Sequence, residues 1–108
     1  MDLGSEIQAE LEKASRARHR GNEGMARVCA RRAAGIAVKV YLARRGVLVK
    51  SASSIELLHR LQNDPILSPE LKTLIDHLTL RVDEEFKLPP DVDVLADAGR
   101  LCELLTRA

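Results

Sequence analysis

The chain has 108 residues, which is enough for one domain with a hydrophobic core and too few for two. Its 45% hydrophobic content beside 31% charged residues is typical of a soluble protein, and with one Phe, one Tyr and no Trp, aliphatic side chains and alanine must form the core. The net charge of +1 and the scarcity of aromatics argue against a general nucleic-acid binder. Since no signal peptide or long apolar run is evident, we expect a cytoplasmic protein without a membrane segment.

Two helices are predicted in the first half of the chain. Ser5 opens a capping-box pattern, and the apolar residues that follow at helical spacing predict a helix over about 6–18. After a tight connection at Asn22, a second helix is predicted over about 23–45, with Gly46 at its end. One wide face of this second helix is rich in small apolar residues, which indicates a central position in the fold. That face consists of Ala26, Cys29, Ala30, Ala33, Ala34, Ile36, Ala37, Val40 and Tyr41.

Capping residues and prolines predict three further helices. The third begins after Ser53 and ends near Asn63, and the fourth begins after Ser68 and continues to about Glu85. A pair of prolines then stops the chain from continuing as a helix, and Asp91 is expected to cap the fifth. Short loops make successive helices antiparallel neighbours, so the sequence predicts an all-α fold, a five-helix up-and-down bundle, within a single domain over 1–108.

Charge is distributed unevenly along the chain. Nine cations and one acid lie between residues 16 and 45, whereas ten acids and four cations lie between residues 64 and 103. Either the two halves neutralise one another, within one copy or across two, or the basic half binds a polyanion. The second helix carries cations on the side opposite its alanines, and we interpret them as the border of a surface for a ligand or a partner. These candidate residues are Arg27, Arg31, Arg32 and Lys39.

The common motifs of catalysis, nucleotide binding and metal binding are missing from the sequence. It contains no glycine-rich phosphate loop, no paired cysteines and no HExxH spacing, so no cofactor and no metal are expected. His77 and Arg81 lie one turn apart on the predicted fourth helix and are weak catalytic candidates, although a salt-bridged solvent face with Glu70 explains them adequately. Cys29 and Cys102 both lie within apolar helical patterns, and we expect two reduced, buried thiols.

The second and third helices resemble a known family. The run GNEGMARVCARRAAGIAVKVYLARRG over 21–46, followed by SSIELLHRLQ over 53–62, is similar to HEPN domains (higher eukaryotes and prokaryotes nucleotide-binding). Those domains have an alanine-rich second helix with a lysine, a leucine and a closing glycine, and then a double leucine that opens the third helix. The corresponding residues are Ala26, Ala30, Ala33, Ala34, Ala37, Lys39, Leu42, Gly46, Leu57 and Leu58.

The resemblance implies a helical bundle that forms a homodimer. It also implies frequent pairing with a small nucleotidyltransferase partner protein and membership of toxin–antitoxin or defence systems. Catalytic HEPN proteins are metal-independent ribonucleases with an Arg-x(4–6)-His motif, in which the histidine exchanges protons and the arginine stabilises charge on the phosphate. That motif is not found here, because VDEEFKL follows Arg81 and no other arginine has a histidine at the required spacing.

These observations favour a non-catalytic, HEPN-like interaction module that binds a nucleotide, RNA or a partner protein. The alternative is a ribonuclease toxin with a degenerate site at His77 and Arg81. A third possibility is a structural subunit whose arginines pair with the acids of a second copy.

Overall fold

Helices make up every regular element that the structure describes. The computed structural model describes residues 3–50, 53–65, 67–80 and 92–107, and within these ranges there are five helices and no strand. The helices are α1 (Leu3–His19), α2 (Glu23–Arg44), α3 (Ser54–Gln62), α4 (Pro69–Leu78) and α5 (Val94–Arg107). The predicted all-α class and the predicted number of helices are therefore confirmed for this part of the chain.

Side-chain caps begin three of the helices where the sequence predicts them. Asn22, Ser53 and Ser68 each accept a hydrogen bond from the backbone N–H three residues ahead, which satisfies a donor that the first turn cannot use. At the other end of α2, Gly46 has a φ of 79°, a conformation that glycine adopts without steric cost. The observed bounds of α2 and α3 lie within one residue of the predicted bounds.

Three predicted helix ends are wrong. Ser5 does not cap α1, because the helix already begins at Leu3. The α4 helix ends at Leu78, well before the predicted end near Glu85, and the Thr79 hydroxyl that follows donates to carbonyls of its last turn. The cap of α5 is Asp93, whose carboxylate accepts from two backbone N–H groups of the first turn. Asp91, the predicted cap, and Glu85 lie outside the described residues.

The central helix of the fold is α2, which packs against α1, α3 and α5. Five of its six alanines are fully buried, as the sequence predicts, and they allow close contact between helices, whereas Ala43 near its end is exposed. Leucines of the shorter helices complete the same core. The fully buried side chains include Ala26, Ala30, Ala33, Ala34, Ala37, Leu58, Ile75, Leu78, Leu101 and Leu105.

The side of α2 opposite its alanines is partly covered by the chain's own third helix. Gly35 is buried there against α3, and a Cβ atom added at Gly35 would lie 2.6 Å from the Ser54 hydroxyl and 3.1 Å from the Ser54 Cα. Val38, one turn further along α2, is also fully buried. Part of the surface that the sequence assigns to an outside partner is therefore an internal contact.

The predicted up-and-down order does not hold for α5. Strict alternation would make α1 and α5 parallel, but residues 4–11 lie beside residues 99–106 while Arg18 is bonded to Asp93, so these helices are antiparallel. The reason lies at α3, which is nine residues long and follows a nine-residue connection over 45–53. Its last residue, Gln62, donates to Asp76 near the end of α4, so α3 and α4 are not the simple antiparallel pair that strict alternation requires.

Candidate functional site

The four cations predicted to form one surface on α2 lie on two sides of the helix. Arg31 and Arg32 are neighbours in sequence, and successive side chains project about 100° apart around a helix axis. Arg27 lies one turn before Arg31 and is on its side, whereas Lys39 lies two turns beyond Arg32 and is on the other. The two sides have different surroundings, and these are described in turn.

Arg31 is bound within the protein. Its Nε donates to the carbonyl oxygen of Leu78, the last residue of α4, over 3.0 Å. A cation at this position satisfies a carbonyl that has no partner within its own helix and interacts favourably with the helix dipole. Burial, and secondly the nearby charge of Arg27, lower the pKa of the half-buried Arg31. Arg31 therefore joins α2 to α4.

Two further arginines join helices in a similar way. Arg44 Nη1 donates to the carbonyl oxygen of Thr106 over 2.9 Å, near the end of α5. Arg18 bonds Glu23 over 2.8 Å and Asp93 over 3.0 Å, and so connects α1 with the starts of α2 and α5. The hydrogen bond to Glu23, followed by that to Asp93, raises the pKa of Arg18, and the same bonds lower the pKa of each carboxyl.

A groove between α1 and α2 is lined by cations. Its volume is about 370 Å³, and no carboxylate lines it in the part of the chain that the structure describes. We name it the basic groove, and it is bordered by Lys13, Arg16, Arg20, Met25, Cys29 and Arg32. Within the described ranges no carboxylate lies within 4.0 Å of the guanidinium groups of Arg16, Arg20 and Arg32, whereas Lys13 Nζ is 3.4 Å from the Glu10 carboxylate. Three exposed guanidinium groups are thus available to an outside anion.

The antiparallel pairing of α1 and α2 produces this groove. Residues at spacings of three and four share one face of a helix, so Lys13 and Arg16 of α1 and Arg20 directly after it face the groove together. Met25, Cys29 and Arg32 of α2 form the opposite wall. The spacing of the three cations is visible in the sequence, but the predicted surface contains only residues of α2, because the alanines of α2 indicate the central helix.

A smaller depression adjoins the basic groove at Arg32. Its volume is about 210 Å³, and it is also lined by Lys39, Glu10 and Ser54. One oxygen of Glu10 accepts from Lys13, and the other is buried without a hydrogen-bond partner among the described residues. Of the four predicted surface residues, Arg32 and Lys39 thus border the same depression, and Arg31 is bonded to α4.

Of the two weak catalytic candidates, His77 does not line the basic groove. His77 Nδ1 is 2.9 Å from the Asp97 carboxylate, and this pair connects α4 with α5. Arg81 lies outside the described residues. Glu70, predicted to belong to a salt-bridged face with them, bonds Arg100 of α5 over 2.7 Å. No cluster of three or more potential metal ligands occurs within the described ranges.

Both cysteines are free and buried, as predicted. Burial raises the pKa of the Cys102 thiol to about 12, so this sulfur stays protonated and unreactive at neutral pH. Cys29 is 3% exposed and lies at the bottom of the basic groove. The surface of the groove that an outside molecule can reach is therefore provided by the cations and by Met25, whose side chain is exposed.

Comparison with known proteins gives no relative for this chain. No family model matches it, and neither does any curated protein or any solved structure. The resemblance to HEPN domains therefore stays a prediction from the sequence. None of the described helices combines the length and the apolar character needed to cross a bilayer.

Proposed function

We propose that this chain is a non-catalytic helical binding module of the HEPN-like kind, and that its ligand site is the basic groove. The observation that carries the proposal is the set of three guanidinium groups, from Arg16, Arg20 and Arg32, that have no anionic partner among the described residues. Arginine forms paired, charge-assisted hydrogen bonds with phosphate oxygens, so a phosphate-bearing ligand fits this donor set.

The energetics of the hairpin support a ligand at this site. Arg16 lies in the last turn of α1 and Arg20 directly follows the helix, one turn further on, and like charges at this spacing are destabilising by about 0.2–0.5 kcal/mol. Elsewhere in the molecule, Arg18, Arg31 and Arg44 offset the repulsion among cations by bonding carboxylates or carbonyl oxygens. Arg16, Arg20 and Arg32 have no such partner among the described residues, and a bound polyanion would supply one.

Assembly with other molecules belongs to the same proposal. We take the homodimer from the resemblance in sequence, together with a partner protein such as a small nucleotidyltransferase and a role in a toxin–antitoxin or defence system. Val28 on α2 and Leu80 after α4 are exposed apolar side chains that a protein contact could bury. Sedimentation of the purified chain measures the oligomeric state directly.

Binding of labelled single-stranded RNA, measured by fluorescence anisotropy at low salt, tests the groove. The double substitution Arg16→Gln and Arg20→Gln should weaken binding by about tenfold or more, because two phosphate contacts are lost. The matched control is the double substitution Arg60→Gln and Lys72→Gln, which removes the same charge from exposed positions on α3 and α4. Equal weakening by the two double variants would show general charge attraction and would contradict a site in the groove.

The ribonuclease alternative is favoured by one observation, the bond between His77 and Asp97. A carboxylate on one ring nitrogen orients an imidazole and leaves the other nitrogen for proton transfer. Incubating RNA with the wild-type chain and with His77→Ala separates the two functions. We expect no cleavage by either protein, and cleavage that disappears in the variant would establish the enzyme instead.

A further inference from the structure

The cations of the basic groove are arranged along a line. Lys13 and Arg16 lie three residues apart near the end of α1, and Arg20 directly after the helix continues its last turn, since its N–H donates to the Arg16 carbonyl. At about 1.5 Å per residue, these spacings give axial steps of about 4.5 and 6 Å. Arg32 borders the groove from the opposite wall, on α2. The groove therefore presents positive charge at three successive levels over about 10 Å of the helix axis.

Compact phosphate sites are built differently. They gather backbone N–H groups at a glycine-rich turn or at the start of a helix, where several donors point at one group. The nearest helix start, that of α2, is already capped by Asn22, and Glu23 beside it carries a negative charge bound to Arg18. Side chains from the last turns of α1, from Arg20 after it and from Arg32 of α2 provide the donors of the groove instead. This arrangement suits charges that are spread along a ligand.

The described part of the chain has few aromatic side chains on which nucleic-acid bases could stack. Tyr41 is 5% exposed and lies under the Arg45 guanidinium, and within the described ranges no other aromatic ring is present apart from the histidines. Sequence-tolerant binding of single strands normally combines a basic groove with such stacking. The groove therefore offers cations that suit phosphates and no Phe, Tyr or Trp ring among its lining residues, with Met25 as an apolar neighbour.

We propose that the ligand of the basic groove is a linear chain of at least three phosphate groups, lying along α1 and held without base recognition. A nucleic-acid strand and inorganic polyphosphate share this chemistry. The inference rests on the proposed function, because it specifies the ligand of the same groove. In this arrangement successive phosphates contact Arg20, Arg16 and Lys13 in turn, and Arg32 contacts the chain from the opposite wall.

A length series tests this directly. Oligouridylates from the mononucleotide to the octanucleotide, and inorganic phosphate, triphosphate and longer polyphosphate, compete with labelled RNA for the full chain. We expect affinity to rise by about tenfold or more between ligands with one phosphate and ligands with three or four, and then to level off, since added phosphates pass beyond the cations. Release of counterions from three phosphates gives a slope of about −2 in a plot of log affinity against log salt.

Two variants sharpen the test in opposite directions. Arg32→Gln should flatten the salt slope by about 0.7, the value for one phosphate contact on a single strand. Glu10→Gln should strengthen binding by about twofold or more, because it removes the carboxylate that pairs with Lys13. A Glu10→Gln chain that binds more weakly would contradict the inference.

The outcomes also distinguish the inference from the proposed function. If a mononucleotide or inorganic phosphate competes as strongly as the longer chains, the linear site is wrong while a groove that binds phosphate stands. If no phosphate compound binds, or if Arg16→Gln and Arg20→Gln have no effect on binding, the proposed function itself is wrong. Competition by polyphosphate equal to that by RNA supports a site for phosphates alone, and competition by nucleic acids alone supports a sugar-phosphate strand as the source of the chain.

Discussion

Two sets of arginines on the first two helices contrast sharply in their surroundings. Arg18, Arg31 and Arg44 are bonded to carboxylates or to carbonyl oxygens of other helices, and they connect elements far apart in sequence. Arg16, Arg20 and Arg32 border an open groove and have no anionic partner among the described residues. We call them the bonded set and the groove set.

The contrast is greatest between Arg31 and Arg32, which are adjacent in the chain. A rotation of about 100° around α2 takes one side chain to the end of α4 and the other into the groove. A run of cations on a buried helix can thus perform two tasks. Those that meet free carbonyl groups stabilise the fold, and those that meet other cations create a positive surface.

The difference between the two sets is tested most directly by the substitutions Arg31→Met and Arg32→Met. Arg31→Met should lower the free energy of unfolding by about 1–2 kcal/mol, because it leaves the Leu78 carbonyl without its charged donor while preserving the aliphatic stem. Arg32→Met should change stability by less than about 0.5 kcal/mol. Urea unfolding measures both values.

RNA affinity should respond in the reverse order. We expect Arg32→Met to weaken binding by roughly fivefold, or about 1 kcal/mol, and Arg31→Met to leave it nearly unchanged in the folded protein. Equal losses of stability in the two variants, or a larger loss of affinity in Arg31→Met, would show that the two sets are not distinct.

Gly35→Ala tests the side of α2 that the chain's own α3 covers. The new methyl group would lie 3.1 Å from the Ser54 Cα, so the backbone of α3 must move. We expect a net loss of about 1–2 kcal/mol in stability, although alanine favours the helix by up to about 1 kcal/mol.

Gly99→Ala is the matched control for this substitution. It lies inside α5, and an added Cβ there meets no atom within 4 Å. The same change should stabilise the protein by about 0.5–1 kcal/mol, as measured by urea unfolding. A stabilising Gly35→Ala would mean that α2 and α3 are further apart than the structure has them.

Arg18→Gln tests the bonded set through its dependence on pH. Arg18 holds the pKa values of Glu23 and Asp93 below their usual range. In acid, the unfolded chain therefore binds more protons than the folded chain. The contribution of the Arg18 ion pairs to the free energy of unfolding is thus complete at neutral pH and is lost as the pH falls through the lowered pKa values of Glu23 and Asp93. Since all three groups are partly exposed, solvent screening limits the contribution to about 1 kcal/mol.

The measurement is the free energy of unfolding from pH 7 to pH 3. Arg18→Gln should be less stable than the wild type at pH 7 and should lose less stability on acidification. Arg107→Gln provides the control, because Arg107 pairs with Glu103 on the surface of a single helix. If Arg18→Gln shows the same acid dependence as the wild type, the ion pairs of Arg18 do not stabilise the fold, and Arg18 does not belong to the bonded set.

Local signals in the sequence were sufficient for much of the fold. Capping residues and apolar periodicity act within one helix, so Asn22, Ser53 and Ser68 identify helix starts without knowledge of the tertiary structure. The burial of the α2 alanines follows from the same periodicity. The direction of α5 depends instead on how α3 and α4 lie relative to each other, and loop length alone does not determine it.

The candidate site was harder to predict, because it depends on which helix faces which. A helical wheel separates Arg31 from Arg32, but only packing shows that one meets α4 and the other meets α1. Lys13, Arg16 and Arg20 have the spacing of one helical face, yet they form a groove with Arg32 only because α1 and α2 are antiparallel. The overall charge of +1 conceals this local concentration of positive charge.

The smallest expected effect concerns Lys39, which the sequence assigns to the ligand surface together with Arg32. Lys39 lies two turns beyond Arg32, about 10 Å along α2, and Glu10 borders the depression between them. A phosphate chain held at Arg20, Arg16 and Arg32 ends before Lys39, so Lys39→Gln should weaken RNA binding by about twofold or less. Anisotropy titrations of Lys39→Gln beside Arg32→Gln measure the difference. Equal losses would extend the groove set along α2 as far as Lys39 and would require a longer ligand.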